Sequence, residues 1–152
     1  MNKNFEKYLN FFIKNEKFKK SKKNRTWYKY DIKNDTYFIL NLEKSRFSDN
    51  FYVYIGFNYS NIPIKDDWNI NVPDIYSCNV SCSLDALDIK RKLIFLNGIP
   101  NDTDITTCKK IFEFILLIYK NNKTQYDFIK NYNHKGYELE DYAKWIKEND
   151  EN

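Results

Sequence analysis

The nine residues FYVYIGFNY, Phe51–Tyr59, constrain the fold more than any other part of the chain. Side chains on a strand alternate between faces. Phe51, Val53, Ile55, Phe57 and Tyr59 therefore share one face, and Tyr52, Tyr54 and Asn58 the other. The pattern predicts a central strand that buries Val53, Ile55 and Phe57. Two strand-like runs precede it, RTWYKY (25–30) and YFILNLEK (37–44), the second with Phe38, Leu40 and Leu42 on one face. Asn34-Asp35 and Ser48-Asp49-Asn50 supply turn chemistry between them. Turns this short join antiparallel neighbours. After a long loop over 60–74, Tyr76, Cys78, Val80, Cys82 and Leu84 alternate and predict a fourth strand over 75–84. The run LIFL (93–96) reads equally well as a short strand or the end of a helix.

Helical periodicity appears at both ends. Phe5, Tyr8, Leu9, Phe12 and Ile13 follow the three-and-four spacing of an amphipathic helix. Thr103 or Asp104 caps a second helix over about 105–120, whose stripe is Cys108, Ile111, Phe112, Ile115, Leu116 and Tyr119. A last helix is expected over about 138–148. The fold class is α+β. An antiparallel meander sheet of four to five strands carries an N-terminal helix and C-terminal helices, in a single domain over 1–152.

The length, 152 residues, suits one domain with one core. An aromatic share of 18% excludes a disordered chain. Lysine, asparagine, isoleucine, tyrosine and phenylalanine all have A/T-rich codons, so the 22 lysines against 3 arginines carry little functional information. The most apolar run, nine residues at 111–119 with Glu113 inside it, falls short of the about 20 that span a bilayer. The start, MNKNFEKY, lacks a secretory leader pattern. Three cysteines, an odd number, make a disulfide framework unexpected. A cytoplasmic location with reduced thiols is the expectation.

Charge is uneven. Residues 1–46 carry 13 Lys/Arg against 5 Asp/Glu, and residues 47–89 carry 1 against 6. The basic run Lys17, Lys19, Lys20, Lys22, Lys23 and Arg25 precedes Trp27, Tyr28 and Tyr30. Basic residues beside sheet-borne aromatics point to an acidic partner or to nucleic acid, whose bases stack on such rings. The plain alternative is a solvated lysine face over core aromatics, and the scarcity of arginine favours it.

Catalytic signals are weak. Cys78 and Cys82, on one strand, stand about 13 Å apart, too far to share a metal or a disulfide. His134 is the sole histidine and lies in a polar turn. Three glycines cannot build a phosphate loop. No catalytic residue, metal ligand or cofactor is assigned.

The segment 16–57 resembles the domain-of-unknown-function 4304 family. Phe18, Lys19 and Lys20 lead into the aromatic strand with Trp27 and Tyr28; Asn41, Leu42, Glu43, Lys44, Ser45 and Arg46 end the next; Phe51, Val53 and Ile55 mark the third. Cys78-Asn79-Val80-Ser81 matches the family's later Cys-His-Ile-Arg strand in part, without its histidine and arginine. The resemblance implies an α+β domain from a bacterial cytoplasm with no settled activity. It singles out Asn41, Glu43, Ser45 and Arg46 as a candidate partner or ligand patch. Asparagine is unfavourable in mid-strand, so Asn41 invites either a side-chain hydrogen bond to a neighbour or a site. The expected function is a non-catalytic protein-binding module, of which an immunity protein that blocks a toxin is one form. Nucleic-acid binding through the basic segment is the alternative, and an enzyme with an unrecognised site around Asn41–Arg46 the third.

Overall fold

The computed structural model describes residues 3–59, 69–88 and 98–132. Helix α1 (Lys3–Asn15) is followed by strands β1 (Lys19–Lys20), β2 (Thr26–Asp31), β3 (Thr36–Lys44) and β4 (Phe51–Tyr59). A 3-10 turn (Ile75–Ser77), strand β5 (Val80–Ser83) and helices α2 (Leu84–Leu87), α3 (Ile105–Asn121) and α4 (Gln125–Tyr132) complete the described chain. All strand pairs are antiparallel and the sheet order is β1-β2-β3-β4-β5. This is the α+β meander that the short turns require, with β3 at its centre and β4 flanked on both sides.

Registers place Phe38 opposite Phe57, Leu40 opposite Ile55 and Leu42 opposite Val53. These residues, with Phe51 and Tyr59, face α1, α3 and α4 and are buried. Aromatic contacts run through this layer. Phe5 lies 4.5 Å from Phe51 and 4.9 Å from Phe112, and Phe38 lies 5.0 Å from Phe57. Helix α3 contributes Cys108, Ile111, Phe112, Ile115 and Ile118. Its N-cap is Asp104, which accepts from the Thr107 N–H at 2.7 Å.

The basic run is structured. Phe18 N–H donates to Ile13 O at 2.9 Å and Lys17 N–H to Lys14 O at 3.4 Å. With Lys17 left-handed at φ 59°, this is a Schellman end to α1. Phe18 folds back to 5.5 Å from Phe12. Lys19 and Lys20 then pair with Tyr28 and Trp27, so part of the expected loop is an edge strand.

Two other expectations are corrected. The run 75–84 is not one strand. Pro73 and Asp74 precede a 3-10 turn, where Asp74 Oδ1 accepts from Tyr76 N–H at 3.1 Å, and extended chain begins only at Val80. Cys78 consequently lies on the opposite side of the sheet from Val80 and Cys82. Helix α4 was not expected. Its signal is a reciprocal cap: Thr124 N–H donates to Asp127 Oδ2 at 3.1 Å, and Asp127 N–H to Thr124 Oγ1 at 3.3 Å. The segments 93–96 and 138–148 lie outside the described residues, as does His134. No helix among the described residues is long and apolar enough to cross a membrane.

Candidate partner-binding face

The second face of the sheet collects Thr26, Tyr28 and Tyr30 from β2, Tyr37, Ile39, Asn41 and Glu43 from β3, and Tyr52, Tyr54, Gly56 and Asn58 from β4. Alternation dictates this set, and it is unusual in offering tyrosine where a solvated face carries charge. Residues 72–79 cross it as a strap. Ile75 and Cys78 pack on Ile39, with Tyr28, Tyr37 and Tyr54 as partly buried walls. A Cβ on Gly56 would stand 2.5 Å from Cys78 Sγ and 2.7 Å from Ile75 Cδ1. Only glycine admits so close an approach.

Polar contacts tie the strap down. Ser21 Oγ donates to Pro73 O at 2.8 Å, and Lys23 Nζ lies 3.7 Å from Asp74. The Tyr76 hydroxyl donates to Glu43 Oε1. Asn79 N–H donates to Asn58 Oδ1 at 2.7 Å, and Asn79 Oδ1 accepts from Tyr59 N–H at 2.8 Å.

The candidate patch is divided by this arrangement. Asn41 is buried and its Nδ2 donates to Thr26 Oγ1 at 2.9 Å, the cross-strand bond that a mid-strand asparagine invites. Glu43 holds Tyr76. Ser45 lies in the β3–β4 turn, its Oγ accepting from Phe47 N–H at 3.2 Å. Arg46 is exposed there beside Phe47, which is 97% exposed. In the basic segment, Lys20 Nζ donates to the carbonyls of Ser21, Lys23 and Thr26 and sits 5.2 Å from the Trp27 ring. Burial lowers its pKa. Lys23 is committed to Asp74, and Arg25, half-buried, is left-handed at φ 48° with its carbonyl accepting from Leu42 N–H. Lys17, Lys19 and Lys22 are exposed. Trp27, a stacking ring in the nucleic-acid alternative, packs against the helix-side core, as the plainer reading of these aromatics has it.

Three tyrosines form a shelf at the β2–β3 end. Tyr30 stacks on Tyr37 with centroids 4.6 Å apart, and Tyr28 is 6.4 Å from Tyr37. Carboxylates surround the tyrosine hydroxyls. The hydrogen bond from Tyr30 to Asp35 pushes the phenol up to about 12, and that from Tyr76 to Glu43 does the same. Tyr37 and Tyr54 are raised by burial first, then by Asp35 and by Glu43 respectively, with Asp85 adding to Tyr54. At neutral pH these phenols are un-ionised donors in a negative field.

Sequence reasoning missed Tyr37, Tyr76 and Gly56. For Tyr37 the signal was present, since aromatic residues at the outward positions of three successive strands form one surface once the registers are known. No group of three or more His, Cys, Asp or Glu among the described residues is placed to hold a metal ion, and none of the cysteines forms a disulfide. A groove of about 300 Å³ lies apart from this face, between α3 and α4, bordered by Phe114, Leu117, Asp127 and Tyr132. No family model, curated protein or solved structure matches the chain.

Proposed function

We propose that this chain is a non-catalytic protein-binding module that engages its partner through the tyrosine face, needs no cofactor, and takes a partner whose contact patch is basic. An immunity-type role, holding and blocking a toxin, is the form that fits a small α+β domain and the resemblance to the domain-of-unknown-function 4304 family. One observation carries the reading: the outward tyrosines of this face are bordered by Asp35 at the shelf end and by Glu43 and Asp85 near Tyr54, and these carboxylates raise the phenol pKa values beside them. Tyrosine is enriched in protein interfaces because one rigid ring supplies area and a hydrogen bond together. The same carboxylates oppose a polyphosphate backbone, and two basic-segment residues, Lys20 and Lys23, are already engaged within the fold. Affinity capture from the native organism tests the proposal. Tyr30→Ala with Tyr37→Ala should abolish capture of a protein that the wild type retains at about 150 mM salt. Retention of nucleic acid at that salt, lost on replacing Lys17, Lys19 and Lys22, would replace this reading with nucleic-acid binding.

A further inference from the structure

The strap and the sheet beneath it fit imperfectly. Asn41 Oδ1 and Asn58 Nδ2 are buried without a hydrogen-bond partner among the described residues. Asn41 is 7% exposed and Asn58 2%. Buried polar atoms are normally paired, so two on one face of the sheet mark an unfilled requirement. One is an acceptor and the other a donor. Asn58 stands opposite Tyr37, and Asn41 lies four residues further along β3. Along the strand direction the two are therefore separated by about 13 Å. An extended polypeptide of four or five residues spans that distance and presents both N–H and C=O groups along its length.

Among the described residues, the strap buries few apolar side chains against the sheet. Its buried apolar contacts centre on Ile75 and Cys78, while the helix-side layer buries residues from α1, α2, α3, α4 and three strands, β3, β4 and β5. Two of its ties, Tyr76 with Glu43 and Lys23 with Asp74, are at the surface, where water competes. Segments with few buried apolar contacts open independently of the global core.

We propose that residues 72–79 open from the sheet as a unit while the helix-side core stays closed, and that the bared face receives an extended peptide segment of the protein partner. The second half rests on the protein-binding reading above; the first does not. In the closed state the strap acts as an internal occupant. In the open state Tyr28, Tyr37 and Tyr54 wall a trough floored by Ile39, with Asn41 Oδ1 ready to accept at one end and Asn58 Nδ2 ready to donate at the other.

Two cysteines report on the two layers. Cys78 is 1% exposed within the strap, and Cys108 is fully buried in α3. In a Cys82→Ser background, thiol labelling is followed at each site and corrected for intrinsic reactivity measured in urea. Cys78 should label at least tenfold faster than Cys108. Ile75→Ala should accelerate Cys78 further and leave Cys108 unchanged; Gly56→Ala, whose methyl meets Cys78, should do the same if circular dichroism shows it folded. Equal rates at the two cysteines in wild type and Ile75→Ala would sink the strap. A phage-displayed library of random heptapeptides, selected on Ile75→Ala, then probes the trough. Enriched peptides, synthesised and added to the Cys82→Ser protein with its native strap, should speed labelling of Cys78 and not of Cys108. If Cys78 labels fast but no peptide enriches, or enriched peptides leave its rate unchanged, the peptide site is wrong and the opening stands. Loss of partner capture in the Tyr30/Tyr37 variant decides the protein-binding reading separately.

Discussion

The two faces of the sheet are built on different principles. Toward the helices, Phe38, Leu40, Ile55 and Phe57 meet Phe5, Ile111, Ile115 and Phe128 in a layer of rings and branched chains with tight, many-sided contacts. Toward the strap, Ile39, Ile75 and Cys78 form a core of three, walled by tyrosines and flanked by two asparagines each lacking, among the described residues, a partner for one atom. The first layer carries the stability of the domain. The second is thin and polar, and retains chemistry that packing does not demand. Surfaces that exchange partners are drawn from the less stable parts of a fold, and the proposed binding face lies on the reverse of the same strands that make the helix-side core.

Paired substitutions test the contrast most strongly. Ile55→Ala should cost about 2–5 kcal/mol in urea unfolding, and Ile39→Ala should fall at the low end, near 2 kcal/mol, because the strap can settle into the space. Equal losses would mean that the two layers are equally stiff. Gly56→Ala comes next, at about 1–3 kcal/mol from overpacking against Cys78 and Ile75. A neutral result would show the strap moving aside without resistance, sharpening the distinction further.

Asn41→Ala should be milder. It removes the bond to Thr26 but also removes the unpaired Oδ1. A loss of about 1 kcal/mol, or about 2–4 °C in melting temperature, is expected. A gain in stability would indicate that the unpaired oxygen outweighs the bond, as a site held for a partner would show.

The smallest effect lies on the helix side. Burial raises the Asp31 carboxyl, but hydrogen bonds from Asn34 and Lys33 together with the Lys123 charge outweigh it, so its pKa lies below 3.8. Folding then favours the ionised form. Its contribution is complete above 3.8 and fades as pH falls through the lower folded value. Asp31→Asn should flatten the acid limb of the urea midpoint against pH by less than about 1 kcal/mol, since the pair with Lys123 is partly solvated. An unchanged acid limb would show that Asp31 is not among the groups responsible.

Much of the first layer was legible. Strict alternation in β4 and the helical stripes of α1 and α3 are local patterns, and each names its buried face without knowledge of a neighbour. Asn41 was legible as an anomaly, because its residue type contradicts its position. The strap was not. Alternation of Tyr76, Cys78, Val80, Cys82 and Leu84 imitated a strand, and the interruption depends on Asp74 capping a turn and Asn79 pairing with β4. Helix α4 escaped because its eight residues carry a short stripe and its capping pair, Thr124 and Asp127, resembles any polar turn.

What the sequence determined by itself is the class of fold, the antiparallel order imposed by short turns, and which side of β3 and β4 meets the helices. These follow from period and turn chemistry, which act over a few residues. The tertiary structure alone decided that the other side is covered. That choice depends on contacts between residues far apart in the chain: Ser21 with Pro73, Glu43 with Tyr76, Gly56 with Cys78. No local pattern encodes them, because each is a polar or small residue whose partner is fixed only when the strands have already assembled.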